Sequence, residues 1–201
     1  MSTLKLTYFD FKARAEATRL AFVYGGIEFE DYRVGFPEWK EELKAKTTFG
    51  QLPTLHIDGQ QFAQSQAILR YVGKLSKLYP DDIVEALRVD EILSHSEDLT
   101  QALTPSMRES DMDKKLQLRA ELVSTTFPAM FTKLEAILGE KYAVGNKLSI
   151  ADLALFVQLN WFTTSLDGVP KDLLANYPKL TAIVASVRSE EKFQEWFAKY
   201  P

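Results

Sequence analysis

The feature that most restricts how this chain can fold is a change of period near residue 80. Before it, short strand-like runs alternate with helical ones. Beyond Pro80-Asp81-Asp82 the strand signals stop, and helical periodicity takes over at roughly 83–108, 114–138, 149–165 and 178–199. Mixed strands and helices followed by helices alone predict an α/β domain and an all-α domain, with the cleft between them as the natural place for a ligand. The expected boundaries are 1–79 and 83–201, with a linker at 80–82. No internal repeat is visible.

The first segment reads as βαβαββα. Leu4-Lys5-Leu6-Thr7-Tyr8 alternates apolar and polar residues before the Phe9-Asp10-Phe11-Lys12 loop, which suits a strand ending at Tyr8. From Arg14, the residues Ala17, Leu20, Ala21 and Tyr24 share one helical face, and Gly25-Gly26 supplies a left-handed stop. Ile27 to Val34 reads as a second strand, and Pro37-Glu38-Trp39 opens a short charged helix to about Lys46. Leu52 to Ile57 and Gln60-Gln61-Phe62, joined by Asp58-Gly59, form a hairpin signal. Ser65 is placed to cap a helix whose apolar face is Ile68, Tyr71, Val72 and Leu75.

Composition removes several function classes. A net charge of −4 and no basic cluster leave nothing to attract a phosphate backbone, so nucleic acid is not an expected partner. No run of 18 uncharged apolar residues suits a membrane span, and the N-terminus lacks the apolar stretch of a leader, so we expect a cytoplasmic protein without a membrane partner. With no cysteine, the chain has no disulfide, thiolate metal site or redox thiol of its own, so in any thiol chemistry the substrate brings the sulfur. His56 and His95 have no ligand partner at a useful spacing, and no metal is expected.

Four groups of residues could carry chemistry, each with an ordinary structural reading beside it. Tyr8 ends a strand just ahead of a helix N-terminus, where a phenol and backbone N–H groups could meet an anion; an edge aromatic would look the same. Leu52-Pro53 opens a strand where proline offers no N–H, leaving the preceding residue's backbone for another partner. Gln64-Ser65 joins an amide, a hydroxyl and a helix start, suited to a carboxylate with a neighbouring amine, or simply to a cap. Trp39 and Lys44 offer an indole N–H and an ammonium from a short helix that could equally be a solvated face.

The order and spacing of these groups resemble the cytosolic glutathione S-transferases of the sigma-like, tyrosine-type class, over essentially the whole chain. The residues that carry the resemblance are Tyr8 followed by Arg14 and Glu16, the Gln51-Leu52-Pro53 turn, Gln64-Ser65-Gln66-Ala67-Ile68, and Val144 to Asp152 in the helical part. In the last of these, Ser149 and Asp152 are spaced as a capping box, and Leu148 is placed to staple against Leu153. The resemblance implies a thioredoxin-like N-terminal domain followed by an all-helical C-terminal domain, with glutathione as co-substrate.

Carried over, Tyr8 is the catalytic hydroxyl, and Arg14 and Gln51 belong to the glutathione site. Leu52 pairs its backbone with the cysteinyl unit ahead of a cis Pro53, and Gln64 and Ser65 hold the γ-glutamyl end. Trp39 and Lys44 bind the glycyl carboxylate, although the family lysine stands four residues after the tryptophan, where this chain has Leu43. Asp98 matches the acidic residue that a homodimer partner lends to the glutathione amine. Phe9, Arg14, Pro105, Met107, Gln158 and Phe162 are candidate walls for a small hydrophobic electrophile, some of which core packing could claim instead. The activity implied is conjugation in detoxification. Two readings compete: a non-catalytic carrier or structural protein of the same fold, and a prostaglandin isomerase, against which Ala154 and Gln158 stand where aromatic residues are expected. Thioredoxin-like redox enzymes and cysteine-type transferases, which share the N-terminal fold, are removed by the absence of cysteine.

Overall fold

The structure, a computed structural model, describes residues 3–201 and divides into two units. The first holds the described residues up to Pro80 together with Glu191–Pro201, and the second is Asp81–Glu190. The last eleven residues therefore group with the α/β unit, and not with the helices among which their periodicity had placed them.

The first unit runs β1 (Leu4–Phe9), α1 (Ala13–Gly25), β2 (Glu30–Val34), α2 (Phe36–Glu38), β3 (Thr54–Ile57), β4 (Gln60–Ala63) and α3 (Ser65–Leu75), the thioredoxin-like order that was expected. Its four strands lie in the order β2-β1-β3-β4. β1 and β2 are parallel because the chain crosses back through α1, whereas β3 and β4 join antiparallel through a tight turn. Asp58 and Gly59 both take positive φ, 50° and 85°, the requirement of a two-residue hairpin turn whose twist matches its strands. On β1, Leu4, Leu6 and Tyr8 are buried at the period of two that puts them on one face. Helices α1 and α3 pack on each other, and Gly25 permits their approach: a Cβ there would stand 2.8 Å from the Ser76 Cβ.

After α2 the helical path continues as a π turn (Trp39–Leu43) and a 3-10 turn (Lys44–Lys46). The helix that follows β4 is capped differently from expectation. Gln64, not Ser65, is the N-cap residue, Ser65 is already helical, and no side chain caps the first turn. Gln64 has φ 74°, so its backbone turns the chain from strand to helix in one residue, leaving no extended position for Ser65 to occupy.

The second unit consists of α4 (Ile83–Arg108), α5 (Met112–Glu121), α6 (Phe127–Ile137), α7 (Ile150–Thr164) and α8 (Pro178–Ser189). Periodicity suggests one helix over 114–138, but a π turn (Leu122–Thr126) separates α5 from α6. Pro128, in the first turn of α6, cannot donate to the preceding turn and crowds its carbonyl, so the helix widens just ahead of it. Helix α7 is buried on most sides through Ile150, Leu153, Leu155, Leu159 and Phe162, which marks it as the core helix of this unit.

The expected 178–199 helix is also interrupted. Glu190 is extended (ψ 121°), and a 3-10 turn (Glu191–Phe193) leads into α9 (Gln194–Lys199). The break lets Phe193 bury completely, its ring 6.0 Å from Tyr24 of α1. Burying such a side chain is worth about 1.5–3 kcal/mol, against about 1 kcal/mol for each helical hydrogen bond given up, so the interruption is favoured.

The start of α7 is fixed by a capping box between Ser149 and Asp152. The Asp152 carboxylate accepts from Ala143 N–H at 2.6 Å, Ser149 N–H at 2.8 Å and the Ser149 hydroxyl at 2.7 Å, and so ties the preceding loop to the helix. Asp152→Ala leaves those backbone donors buried without an acceptor and should lower stability by about 1–3 kcal/mol for each, measured by denaturant unfolding at neutral pH. Burial pushes the Asp152 carboxyl up to about 6, from 3.8, against the hydrogen bonds, which favour the anion. Because the folded value is the higher one, the stabilisation is complete below pH 3.8 and is lost as pH rises through about 6, a change of about 3 kcal/mol. Asp152→Asn has no proton to lose and should show a flatter stability profile across that window. Identical slopes in the two proteins would sink this assignment.

Candidate functional site

The sheet register gathers the sequence-predicted residues of the first unit at one end of the strands. Thr7 of β1 pairs with Thr54 of β3, and Thr54 pairs with Ala63 of β4. Tyr8, Pro53 and Gln64 therefore each stand one residue past the paired row, on three neighbouring strands. Tyr8 also pairs with Arg33 of the parallel strand β2, whose exit through Val34 and Gly35 leads to Trp39. This is the carboxyl end of the parallel pair, where open α/β sheets place ligands. The Leu52–Pro53 bond is cis, as the family pattern implies.

Tyr8 is 5% exposed, and its phenol oxygen accepts a hydrogen bond from the Arg14 backbone N–H. That N–H belongs to the first turn of α1, where Lys12 provides no side-chain cap. Helix starts leave such donors without an intrahelical partner, and here the phenol takes one of them. Burial raises the phenol above its ordinary value of 10, opposed by the Arg14 N–H and by the charges of Arg14 and Arg19. The hydroxyl consequently keeps its proton at neutral pH. With its oxygen already accepting, that proton is available for donation to an acceptor.

Aromatic rings surround Tyr8. Phe9 and Phe11 each meet it edge-on at 5.5 Å, and Phe9 stacks on Phe11 at 5.4 Å and on Phe36 at 4.7 Å. Trp39 closes the group at 6.0 Å from Phe9. Phe11 and Phe36 are exposed, so this apolar surface is open to solvent beside the hydroxyl. Neither stood out in the sequence, where single phenylalanines in a loop carry no periodic signal.

Beneath Tyr8 lies Arg19, fully buried on α1. Its Nε donates to Asp31 at 2.9 Å, one terminal nitrogen to the Phe11 carbonyl at 2.9 Å and to Glu16 at 3.3 Å, and the other to the Phe9 carbonyl at 3.3 Å. A buried cation is tolerable only when paired and hydrogen-bonded in this way. Arg19 thus holds both ends of the loop that leaves Tyr8. The signal in the sequence was a Glu16–Arg19 pair inside the apolar run Ala15 to Phe22.

The remaining glutathione-site candidates of this unit lie at its surface. Ser65 is half-buried at the start of α3, beside exposed Gln64, and Gln51 is exposed ahead of half-buried Leu52. Lys44 is exposed, with its stem along Gly50: a Cβ there would lie 3.9 Å from the lysine Cε. The one-residue lag between Trp39 and Lys44 has a local explanation. In the π turn the Lys44 N–H bonds the Trp39 carbonyl, so the fifth residue takes the place that the fourth takes in an α-helix.

In the helical unit the candidates divide. Asp98 is exposed on α4, 4.0 Å from His95. Pro105 and Met107 are exposed on the same helix, the Met107 sulfur 3.5 Å from an Arg119 nitrogen. Gln158 and Phe162, expected as pocket walls, are instead committed to the interior of this unit. Gln158 accepts from the Ser96 hydroxyl and donates to the Ser96 carbonyl and the Thr100 hydroxyl, all within 2.9 Å, because a buried amide must satisfy both of its ends. Phe162 is 1% exposed and stacks on Phe127 at 5.1 Å. Among the described residues no group of three His, Asp or Glu could hold a metal, and no helix is long and apolar enough to cross a membrane.

Comparison with known proteins gives the same picture along the chain. The family model described as glutathione S-transferase, N-terminal domain, matches residues 4–74, and that described as glutathione S-transferase, C-terminal domain, matches residues 97–200. Glutathione S-transferase 1 of Ascaris suum is 34% identical, with 100% of this chain and 98% of the relative covered. Among solved structures, prostaglandin synthase D of Nilaparvata lugens superposes with a TM-score of 0.89 at 32% identity, covering 99% of this chain and 98% of the other. A monomeric glutathione S-transferase of the hookworm Necator americanus superposes with a TM-score of 0.82 at 30% identity, covering 99% and 98%. With both family domains matched and full-length relatives above 30% identity, this chain belongs to the glutathione S-transferases, a family of enzymes that use glutathione as substrate.

Proposed function

We propose that this transferase is a sigma-like, tyrosine-type enzyme that binds glutathione at the strand ends of its first unit and conjugates it to small hydrophobic electrophiles, serving detoxification in the cytoplasm. The observation that carries the reading is the Tyr8 phenol, whose oxygen accepts from Arg14 while its proton stays free to donate. A cysteine-like thiol with a pKa of about 8.5 is only a few per cent thiolate at pH 7. Lowering that value by about two units requires roughly 2.7 kcal/mol, and a hydrogen bond to a charged group supplies about 1.5–3 kcal/mol. One phenol, aided by the α1 N-terminus, meets the requirement.

In this scheme the thiol releases its proton to solvent and Tyr8 donates to the sulfur. The thiolate forms the new S–C bond, and the leaving group departs with its electron pair. Leu52 would pair its backbone with the cysteinyl unit, Gln64 and Ser65 would hold the γ-glutamyl end, Trp39 and Lys44 would hold the glycyl carboxylate, and Gln51 would belong to the same site. The electrophile would rest on Phe9 and its neighbouring rings beside Arg14. Similarity to a prostaglandin synthase favours a second reading, isomerisation of a prostanoid endoperoxide, which would use the same thiolate.

A homodimer with Asp98 reaching the partner's glutathione amine completes the proposal. Its support is exposed large apolar side chains: Phe49, Phe62 and Leu75 in the first unit, and Ile83, Val84 and Leu87 in the second. Each unit has one reason to be covered.

Conjugation to an aryl halide should run well above background and fall at least tenfold in Tyr8→Phe, about the loss of one charge-assisted hydrogen bond, with the apparent pKa moved toward that of free glutathione. Glutathione binding must be retained in both proteins, and an unchanged rate would refute the role of Tyr8. Turnover of a prostanoid endoperoxide in preference to the aryl halide would favour the second reading. Sedimentation should give twice 22.9 kDa, and Asp98→Asn should weaken glutathione binding several-fold. A 22.9 kDa species with full activity would exclude the shared site.

A further inference from the structure

The C-terminal segment does more in the first unit than bury Phe193. The Trp196 indole N–H donates to Glu16 Oε1 at 2.8 Å, while Glu16 Oε2 meets Arg19 at 3.3 Å; both Glu16 and Arg19 are almost wholly inaccessible to solvent. The Tyr200 ring lies 4.4 Å from Trp196, with the Arg33 guanidinium 3.9 Å over Tyr200. Arg33 in turn donates to Asp31 Oδ2 at 2.8 Å, and Asp31 Oδ1 accepts from Arg19 at 2.9 Å. The circuit closes on Arg19: each of its two carboxylate partners is gripped by the tail, Glu16 directly and Asp31 through Arg33.

We infer that Trp196 is a positioning residue for Tyr8, acting through Glu16 and Arg19 on the loop that carries the phenol; the inference rests on the role proposed for Tyr8. Arg19 fixes the carbonyls of Phe9 and Phe11, so the peptide immediately after Tyr8 is held by the cation that Trp196 helps to balance. The guanidinium is also 5.7 Å from the centre of the Tyr8 ring and exerts its field on the hydroxyl. Between Phe11 and Arg14 the backbone has little else to define it. Lys12 makes no cap and Ala13 takes φ 37°, a conformation that a non-glycine residue holds only when its surroundings impose it. Displacing Glu16 would let Arg19 shift, and with it the Arg14 N–H that sets the direction of the phenol proton.

The test is a double-mutant cycle with Trp196→Phe, which keeps an aromatic ring at this position and removes the donor, in the wild-type and Tyr8→Phe backgrounds. Conjugation is followed across pH, and folding is checked by thermal melting. In the Tyr8 background we expect kcat/KM to fall about three- to tenfold, a size typical of small misplacements at a reacting centre, with the apparent thiol pKa displaced upward. In Tyr8→Phe the same change should have no further effect. An equal loss in both backgrounds, or an unmoved pH profile, would show that Trp196 merely anchors the tail and would overturn the inference. If Tyr8→Phe matches wild type, the proposed role of Tyr8 fails first and the inference with it. Should Trp196→Phe not fold, Glu16→Gln poses the same question, since it keeps an acceptor for the indole and removes the charge facing Arg19; the same pair of outcomes then decides.

Discussion

A fully buried guanidinium is the constraint around which the first unit is built. Removing a cation from water costs several kcal/mol, even after relaxation, unless ion pairs and hydrogen bonds replace the lost hydration. Arg19 meets that requirement with two carboxylates and two loop carbonyls. Those carbonyls belong to Phe9, the last residue of β1, and to Phe11 in the loop beyond it, which leads to a helix start that no side chain caps. The cation therefore stabilises a loop that has little reason of its own to hold one shape. Loss of any member would leave a buried charge or carbonyl unpaired, so the arrangement is cooperative.

On this base the sheet supplies position and the helix start supplies polarity. A parallel β1–β2 pair ends where α1 begins, so a side chain at the last inward position of β1 must face the first N–H groups of that helix. A phenol there is acted on from two directions: burial disfavours its anion, while the Arg14 N–H and two nearby arginine charges favour it. Burial is the larger effect, so the hydroxyl remains a donor at pH 7. A carboxylate in the same place would accept from the helix but could offer no proton to a thiolate. A lysine would place a like charge beside two arginines.

How much of this was legible before the structure depends on the kind of interaction. The succession of strands and helices along the first unit, the hairpin turn and the capping box were visible because each rests on residues close in sequence with fixed geometry. The N-cap of α3 was misplaced by one residue because a serine beside a helical run is an ordinary cap, and nothing in the letters shows that Gln64 would take positive φ. The spacing of Lys44 from Trp39 departs from the family pattern, and the π turn that lies between them is something periodicity assuming 3.6 residues per turn cannot show. Gln158 and Phe162 were candidate pocket walls, with core packing the alternative for some of those candidates. Which face of α7 meets α4 is a long-range matter, settled by an amide that found Ser96 and Thr100 sixty residues away.

The tail illustrates the same limit from the other side. Read as a sequence, 178–199 is one helical segment, and nothing in it singles out Trp196. The chain breaks that helix at Glu190 because burial of Phe193 against α1 outweighs the hydrogen bonds it forgoes. Once the break is made, α9 lies where the Trp196 indole N–H reaches Glu16. Lysine would add a second cation beside Arg19. The indole N–H satisfies Glu16 without altering the charge balance, which is why a neutral donor fits between a tail that folds on the apolar effect and a loop that is held by ions.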